Sequence, residues 1–163
     1  MPNSVSIQKR SLNHENFQAN KLKNFFDEKL NISIEPTNRD LLISKAEKQF
    51  FDNISTTQIT DTLILTATSL IEKDPIFDKI ATQLLLQKTY RKVFQKKVSS
   101  NNFRELYQQS FINSLKIMVE KKKKSANPKL LEFDLEKLSQ ELVLERDNLF
   151  NYIGLEAVYS RYF

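Results

Sequence analysis

The chain is 163 residues long and 40% hydrophobic, enough for one medium domain or two small ones with a real core. Without Cys it carries no disulfide, no thiolate metal site and no thiol chemistry of its own, and with His14 as its only His a His-rich metal cage or a Ser-His-Asp triad is hard to build. The net charge is +5, but four of those charges sit in Lys121–Lys124, so the basic balance is essentially one local run.

That run could touch phosphates, yet no aromatic residues interleave it and no DNA-reading motif accompanies it. A solvated helix end is the expectation, and nucleic acid is an unlikely partner. One Gly and four Pro argue for long helices and few hairpins. No apolar run approaches the roughly 18–20 residues needed to span a bilayer, so no membrane partner is expected. The N-terminus, MPNSVSIQKR, lacks a signal-peptide apolar region, which makes the cytoplasm the default location.

In chain order, Ser4–Arg10 alternates Val5 and Ile7 against polar neighbours and reads as a short strand. Glu15–Phe17 is its candidate partner across a turn at Ser11–His14. Asn20 is placed to cap a helix through Leu30, with Leu22, Phe25, Phe26 and Leu30 on its apolar side. After a connection at Asn31–Pro36, Thr37 or Asn38 caps a helix to about Phe51 that buries Leu41, Leu42, Ala46 and Phe50.

The stretch Ser55–Phe94 organises the chain. Ser55 with Gln58 three residues on has capping-box spacing. Ile59, Leu63, Thr66, Ala67, Leu70 and Ile71 then recur at helical spacing, with Lys73 closing the helix. Asp74–Pro75 opens a second helix, whose apolar face is Ile76, Phe77, Ile80, Ala81, Leu84, Leu85, Tyr90 and Phe94. So short a connection predicts antiparallel packing. On periodicity alone this hairpin is a structural core.

Gln95–Asn102 is polar and basic and marks a module boundary. Phe103–Glu120 predicts a helix with Phe103, Leu106, Tyr107, Phe111, Leu115, Met118 and Val119 on a wide apolar stripe. Asn127–Pro128 marks a turn, and Asp134 caps a short helix to about Val143. From Phe150 the chain is rich in apolar and aromatic residues and ends on Tyr162-Phe163 in a helical pattern. Exposed aromatics there imply a missing partner surface. The expected fold is mainly α, with α+β character at the N-terminus: a small hairpin or sheet over four helices in 1–95, then further helices in 96–163.

The last residues, ERDNLFNYIGLEAVYSRYF, resemble the segment that enters the catalytic part of class I ribonucleotide reductase large subunits. Arg146, Asp147, Phe150, Tyr152, Gly154, Tyr159, Arg161, Tyr162 and Phe163 carry the match. The leucine expected within the last helix is Val158 or Leu155, depending on register. Upstream, NPKLLEFDLEKLSQELVLERD is similar to the family's helical linker. Phe51-Asp52-Asn53-Ile54, Lys73-Asp74-Pro75-Ile76-Phe77 and Ile80–Leu85 look like further landmarks of the same family. The resemblance runs from about Val5 to Phe163.

It implies an N-terminal ATP-cone, a small sheet over a four-helix bundle that binds ATP or dATP, with magnesium, as an allosteric effector. The cone's signature is a strand followed by Lys-Arg-Asp-Gly. Here Lys9 and Arg10 stand, while Ser11 and Leu12 replace Asp and Gly, and a leucine resists the turn that glycine permits. By resemblance Lys9, Arg10 and Lys21 contact phosphates, Glu15 and Gln18 sit where adenine is recognised, Thr56 falls on a threonine near the nucleotide, Thr60 replaces a frequent histidine of that nucleotide site, and Arg91 replaces a phosphate-reaching lysine. Four cations would suit a triphosphate.

The resemblance also implies that the chain is not catalytic alone, because the family's chemistry needs cysteines and a barrel that are not in this sequence. Its expected partners are the remaining catalytic-barrel part of the large subunit and, indirectly, the small radical-generating subunit. Split subunit, fragment of a longer product and free-standing relic stay open, the first two being favoured. A helical interaction module without nucleotide binding is the rival reading. A nucleic-acid binder using Lys121–Lys124 is the third.

Overall fold

A computed structural model describes residues 5–9, 13–30, 32–95, 99, 101–121 and 127–162. Of the expected elements, Arg10, Ser11, Leu12, Lys122–Lys124 and Phe163 lie outside the described residues. The chain is mainly α with one small sheet. It falls into two compact units, Met1–Lys88 with Phe150–Phe163, and Thr89–Leu149.

In the first unit, strands β1 (Ser6–Gln8) and β2 (His14–Asn16) pair antiparallel, Ile7 opposite Glu15. A third strand, β3 (Ile54–Ser55), adds to β1 in parallel, giving the order β2-β1-β3. The sequence pattern does not predict β3, because two residues are too few to show a period. What positions it is a polar bend. Asn53 adopts φ 63°, a left-handed conformation that Asn tolerates better than most residues. The Ser6 amide donates to Asp52 Oδ1 at 3.0 Å and Ser6 Oγ donates to Asn53 Oδ1 at 3.3 Å.

Helix α1 (Ala19–Lys29) begins after Gln18, not at Asn20, and Gln18 supplies no side-chain cap. Helix α2 (Pro36–Glu47) starts at the proline itself, with Glu35 extended before it, as a residue preceding Pro prefers. It stops at Glu47 short of the expected Phe51, whose ring is 54% exposed.

Helix α3 (Thr56–Thr68) has the anticipated capping box: the Gln58 amide donates to Ser55 Oγ and the Ser55 amide to Gln58 Oε1. It ends at Thr68 rather than Lys73. Thr68 and Ser69 hydroxyls turn back on the carbonyls of Leu65 and Thr66, and the amides of Leu70 and Lys73 take tight bonds three residues back. These local alternatives compete with continued α-helix.

Helix α4 (Ile76–Phe94) opens on Asp74, whose Oδ1 accepts from the Ile76 amide at 2.9 Å while Oδ2 accepts from Asn38 Nδ2 of α2 at 3.0 Å. Lys88 near its far end pairs with Asp61 in the second turn of α3 at 2.6 Å, as antiparallel neighbours require. Phe26, Leu42, Ile54, Leu63, Leu70, Phe77, Ile80, Leu84 and Leu85 are at most 1% exposed and form this unit's core.

The unit's last helix, α7, is Tyr152–Tyr162. Asn151 Oδ1 accepts from the Gly154 amide at 2.8 Å, and the Tyr152 amide donates to Asp78 Oδ1 of α4 at 3.2 Å. A Cβ on residue 154 would stand 2.9 Å from that Asn151 oxygen, so glycine keeps this cap close.

In the second unit, helix α5 (Phe103–Glu120) has the bounds the stripe predicts. Its most buried residue is Ile112, which the stripe omits, while Phe103, Leu106, Tyr107 and Phe111 are half-buried. Asn127 caps a 3-10 turn at Pro128–Glu132. Asp134 caps α6 (Leu135–Gln140), which ends before Val143. A second 3-10 turn covers Leu144–Leu149.

Candidate functional site

The sheet register and the start of α1 bring three of the expected site residues together. Residues opposite each other in a ladder project to the same side, as do residues two apart on one strand. Ile7 and Ile54 are opposite and buried. Glu15 is opposite Ile7, and Lys9 follows Ile7 by two, so both project to the same side of the sheet as Ile7. The Lys9 amide donates to the Asn13 carbonyl at 2.8 Å and closes the β1–β2 turn.

Glu15 Oε2 accepts from Lys9 Nζ at 2.7 Å and from Lys21 Nζ of α1 at 2.8 Å. The Lys21 hydrogen bond first, then that of Lys9, holds the Glu15 carboxyl below the usual carboxylate range. Lys21 lies in the first turn of α1, which contains no acidic residue. A cation at the positive end of a helix is unfavourable, and Glu15 is what offsets it. The trio of one carboxylate and two ammonium groups leaves a net positive charge beside a helix N-terminus, the arrangement that attracts anions.

Gln18 is exposed, and its carbonyl accepts from the Lys21 amide at 3.0 Å, so it borders the same turn. Thr56 opens α3 directly after Ser55, which pairs with Gln8 in the sheet. Thr56 and Lys9 therefore follow the two members of one ladder pair and leave the sheet at the same end. Thr60 is one turn further on, nearly buried, with its hydroxyl donating to the Thr56 carbonyl at 3.0 Å. Arg91 lies in the last turn of α4, within the second unit, and is half-buried.

Two polar constellations were not singled out by the sequence pattern. In the second unit, Asp147 accepts from Tyr90 Oη at 2.7 Å and from Tyr107 Oη at 3.3 Å. Tyr90, Phe94, Phe103 and Tyr107 surround this pair with ring centroids 4.9–6.3 Å apart. Burial first, then the Asp147 charge, pushes the Tyr107 phenol up to about 12, and burial with the Asp147 bond pushes Tyr90 higher still. In the first unit, Lys88 bridges Asp61 and the face of the Tyr159 ring, 5.2 Å from its centroid, so one ammonium ties α3, α4 and α7 together. Spacing of 57 and 71 residues along the chain gives a periodicity argument nothing to detect in either case.

Among the described residues no helix is long and apolar enough to cross a membrane. No group of three or more His, Cys, Asp or Glu among them could hold a metal ion. No family model matches the chain. It is 29% identical over 127 residues to a Chlamydia pneumoniae protein named ribonucleoside-diphosphate reductase subunit alpha, which covers 78% of this chain and 12% of that protein. Proteins of the same name from Chlamydia muridarum, 29% identical over 130 residues, and Helicobacter pylori, 30% identical over 159 residues or 97% of this chain, are similar too. The chain thus spans 12% to 19% of the length of these relatives. These similarities relate it to a region of ribonucleoside-diphosphate reductase alpha subunits.

Proposed function

We propose that the chain is the N-terminal regulatory and structural part of a class I ribonucleoside-diphosphate reductase large subunit, serving deoxyribonucleotide synthesis, and that its first unit binds ATP or dATP as an allosteric effector. The observation that carries the reading is the Lys9–Glu15–Lys21 cluster at the start of α1. It sits in a chain whose relatives are named as that enzyme's alpha subunit. Two ammonium groups close enough to share one carboxylate oxygen are close enough to share a polyphosphate. Arg10, next in sequence, adds charge in the same role. Glu15 and Gln18 take the base, and Thr56 and Thr60 flank the nucleotide. Magnesium would neutralise the remaining phosphate charge. The catalytic barrel comes from the rest of the large subunit, and the small radical-generating subunit is an indirect partner.

Calorimetric titration of the chain with ATP and dATP in the presence of magnesium tests this. Binding is expected, and Lys9→Ala/Arg10→Ala is expected to remove it. Absence of heat with both nucleotides would refute the effector role.

One observation favours a second reading, an interaction module without nucleotide binding. The second unit leaves Phe133, Val143 and Leu149 at 61%, 50% and 82% exposed, apolar side chains available to a protein partner. That reading predicts no heat in the titration, together with co-purification of a co-expressed catalytic portion of a reductase alpha subunit.

A further inference from the structure

The geometry points to Glu15 as an internal competitor that occupies Lys9 and Lys21 until a polyphosphate displaces it. This rests on the reading that those lysines receive the phosphates. A single oxygen, Glu15 Oε2, takes both ammonium groups at 2.7 and 2.8 Å, as a bridging phosphate oxygen would. The contact also brings a carboxylate to an α1 first turn that has none of its own, so the ligand-free site is already partly compensated. An incoming anion must replace charge that is present rather than fill an empty cationic site.

The fold sets how that replacement happens. Glu15 is held by the β1–β2 ladder opposite Ile7, which is buried, so its backbone cannot withdraw without breaking the sheet. Its side chain is 27% exposed, and those of Lys9 and Lys21 are 45% and 57% exposed. The carboxylate therefore leaves the two lysines by rotamer change, at little cost and free to turn toward a bound base, and the lysines stay in reach of the ligand. A ligand with one acceptor exchanges one ion pair for another. A chain of linked phosphates offers several acceptors on one body and pairs with both ammonium groups at the entropic cost of one binding event. Glu15 thus sets a threshold that polyphosphates pass and simple carboxylates do not.

Inorganic tripolyphosphate is the probe, because it carries phosphates and no base, so any contact between Glu15 and a base is excluded. The full chain and its Glu15→Gln variant are titrated calorimetrically at low and high salt. Glutamine keeps the size and an acceptor oxygen but not the charge. The variant is expected to bind roughly fivefold tighter, as loss of an exposed ion-pair competitor allows, with the gain shrinking at high salt. Adding Lys9→Ala/Lys21→Ala to Glu15→Gln is expected to abolish the gain. Detectable binding by the variant alone would equally support the competitor. Equal or weaker binding by Glu15→Gln, or a gain that survives loss of both lysines, would overturn the competitor while leaving phosphate binding in place. No binding by either protein would overturn both. Far-UV circular dichroism checks that each variant is folded.

Discussion

The two units solve the same problem in opposite ways. The first unit buries Phe26, Phe77, Leu63 and Leu84 to 1% exposure or less and keeps its charged contacts at the edge. The second gathers Tyr90, Phe94, Phe103 and Tyr107 around one carboxylate, Asp147, although both units leave some large apolar side chains exposed, Leu65 and Ile153 in the first and Phe133 and Leu149 in the second. A unit with a dry core draws stability from apolar area and loses it in proportion to the volume removed. A unit with a polar-aromatic knot depends on pairing, which fails all at once when a partner is lost.

Phe77→Ala tests the first half of that contrast and carries the largest expected effect. The ring is fully buried on α4, so a cavity of that size is expected to destabilise the first unit by about 3–5 kcal/mol. Hydrogen exchange resolved by peptide would report faster exchange in α2, α3 and the first part of α4. If those segments keep their protection, the core is not where the stability resides.

Asp147→Ala tests the second half. It strands two part-buried phenols, Tyr90 and Tyr107, and should destabilise the second unit by about 1–3 kcal/mol. The same knot predicts an alkaline weakness. Tyr107 titrates near 12 in the folded chain against 10.0 ordinarily, and Tyr90 is raised further. A raised phenol pKa means that the folded state holds its proton more tightly. Each phenol's contribution is therefore complete below pH 10; that of Tyr107 is lost as pH rises from 10 through 12, and that of Tyr90 goes on falling at higher pH. Urea unfolding followed through exchange in α5 at pH 9, 10 and 11 should show this fall, and Tyr107→Phe should reduce it. A flat profile would mean that the phenols do not hold the unit.

Much of this was legible in the sequence where the signal is local. Capping residues sit within three positions of what they cap, so Ser55 with Gln58, Asp74 and Asp134 were found from spacing, and the apolar stripe of α5 gave both of its ends. What escaped was whatever depends on distant partners or very short elements. The strand β3 has two residues. The α3 terminus is set by hydroxyls at Thr68 and Ser69 that can equally point to water. The burial of Ile112 rather than its stripe neighbours depends on which side the rest of the unit covers. The candidate site was legible only through resemblance. That Lys9 and Lys21 converge on Glu15 follows from strand register and the entry angle of α1, which neither composition nor periodicity specifies. Resemblance alone points to Asp147 and gives it no role, because its two tyrosines lie 40 and 57 residues away.

The smallest effect sharpens the comparison most, because it acts on a local feature of the first unit without touching its core. In Ser55→Ala the Gln58 amide loses its acceptor, while the Ser55 backbone keeps its place beside Gln8 and still donates to the Gln58 side chain. Half of the capping box remains, and the expected loss is about 1 kcal/mol. Exchange should quicken at the start of α3, around Thr56–Gln58, and leave α5 and α6 unchanged. Thr56 leaves the sheet at the same end as Lys9, so a frayed α3 start would also loosen that edge of the candidate site. Under the effector reading, Ser55→Ala weakens nucleotide binding by a few-fold at most, since the Lys9–Glu15–Lys21 contacts do not pass through α3. A complete loss of binding would place the ligand's main contacts on the α3 N-terminus instead of on the lysines.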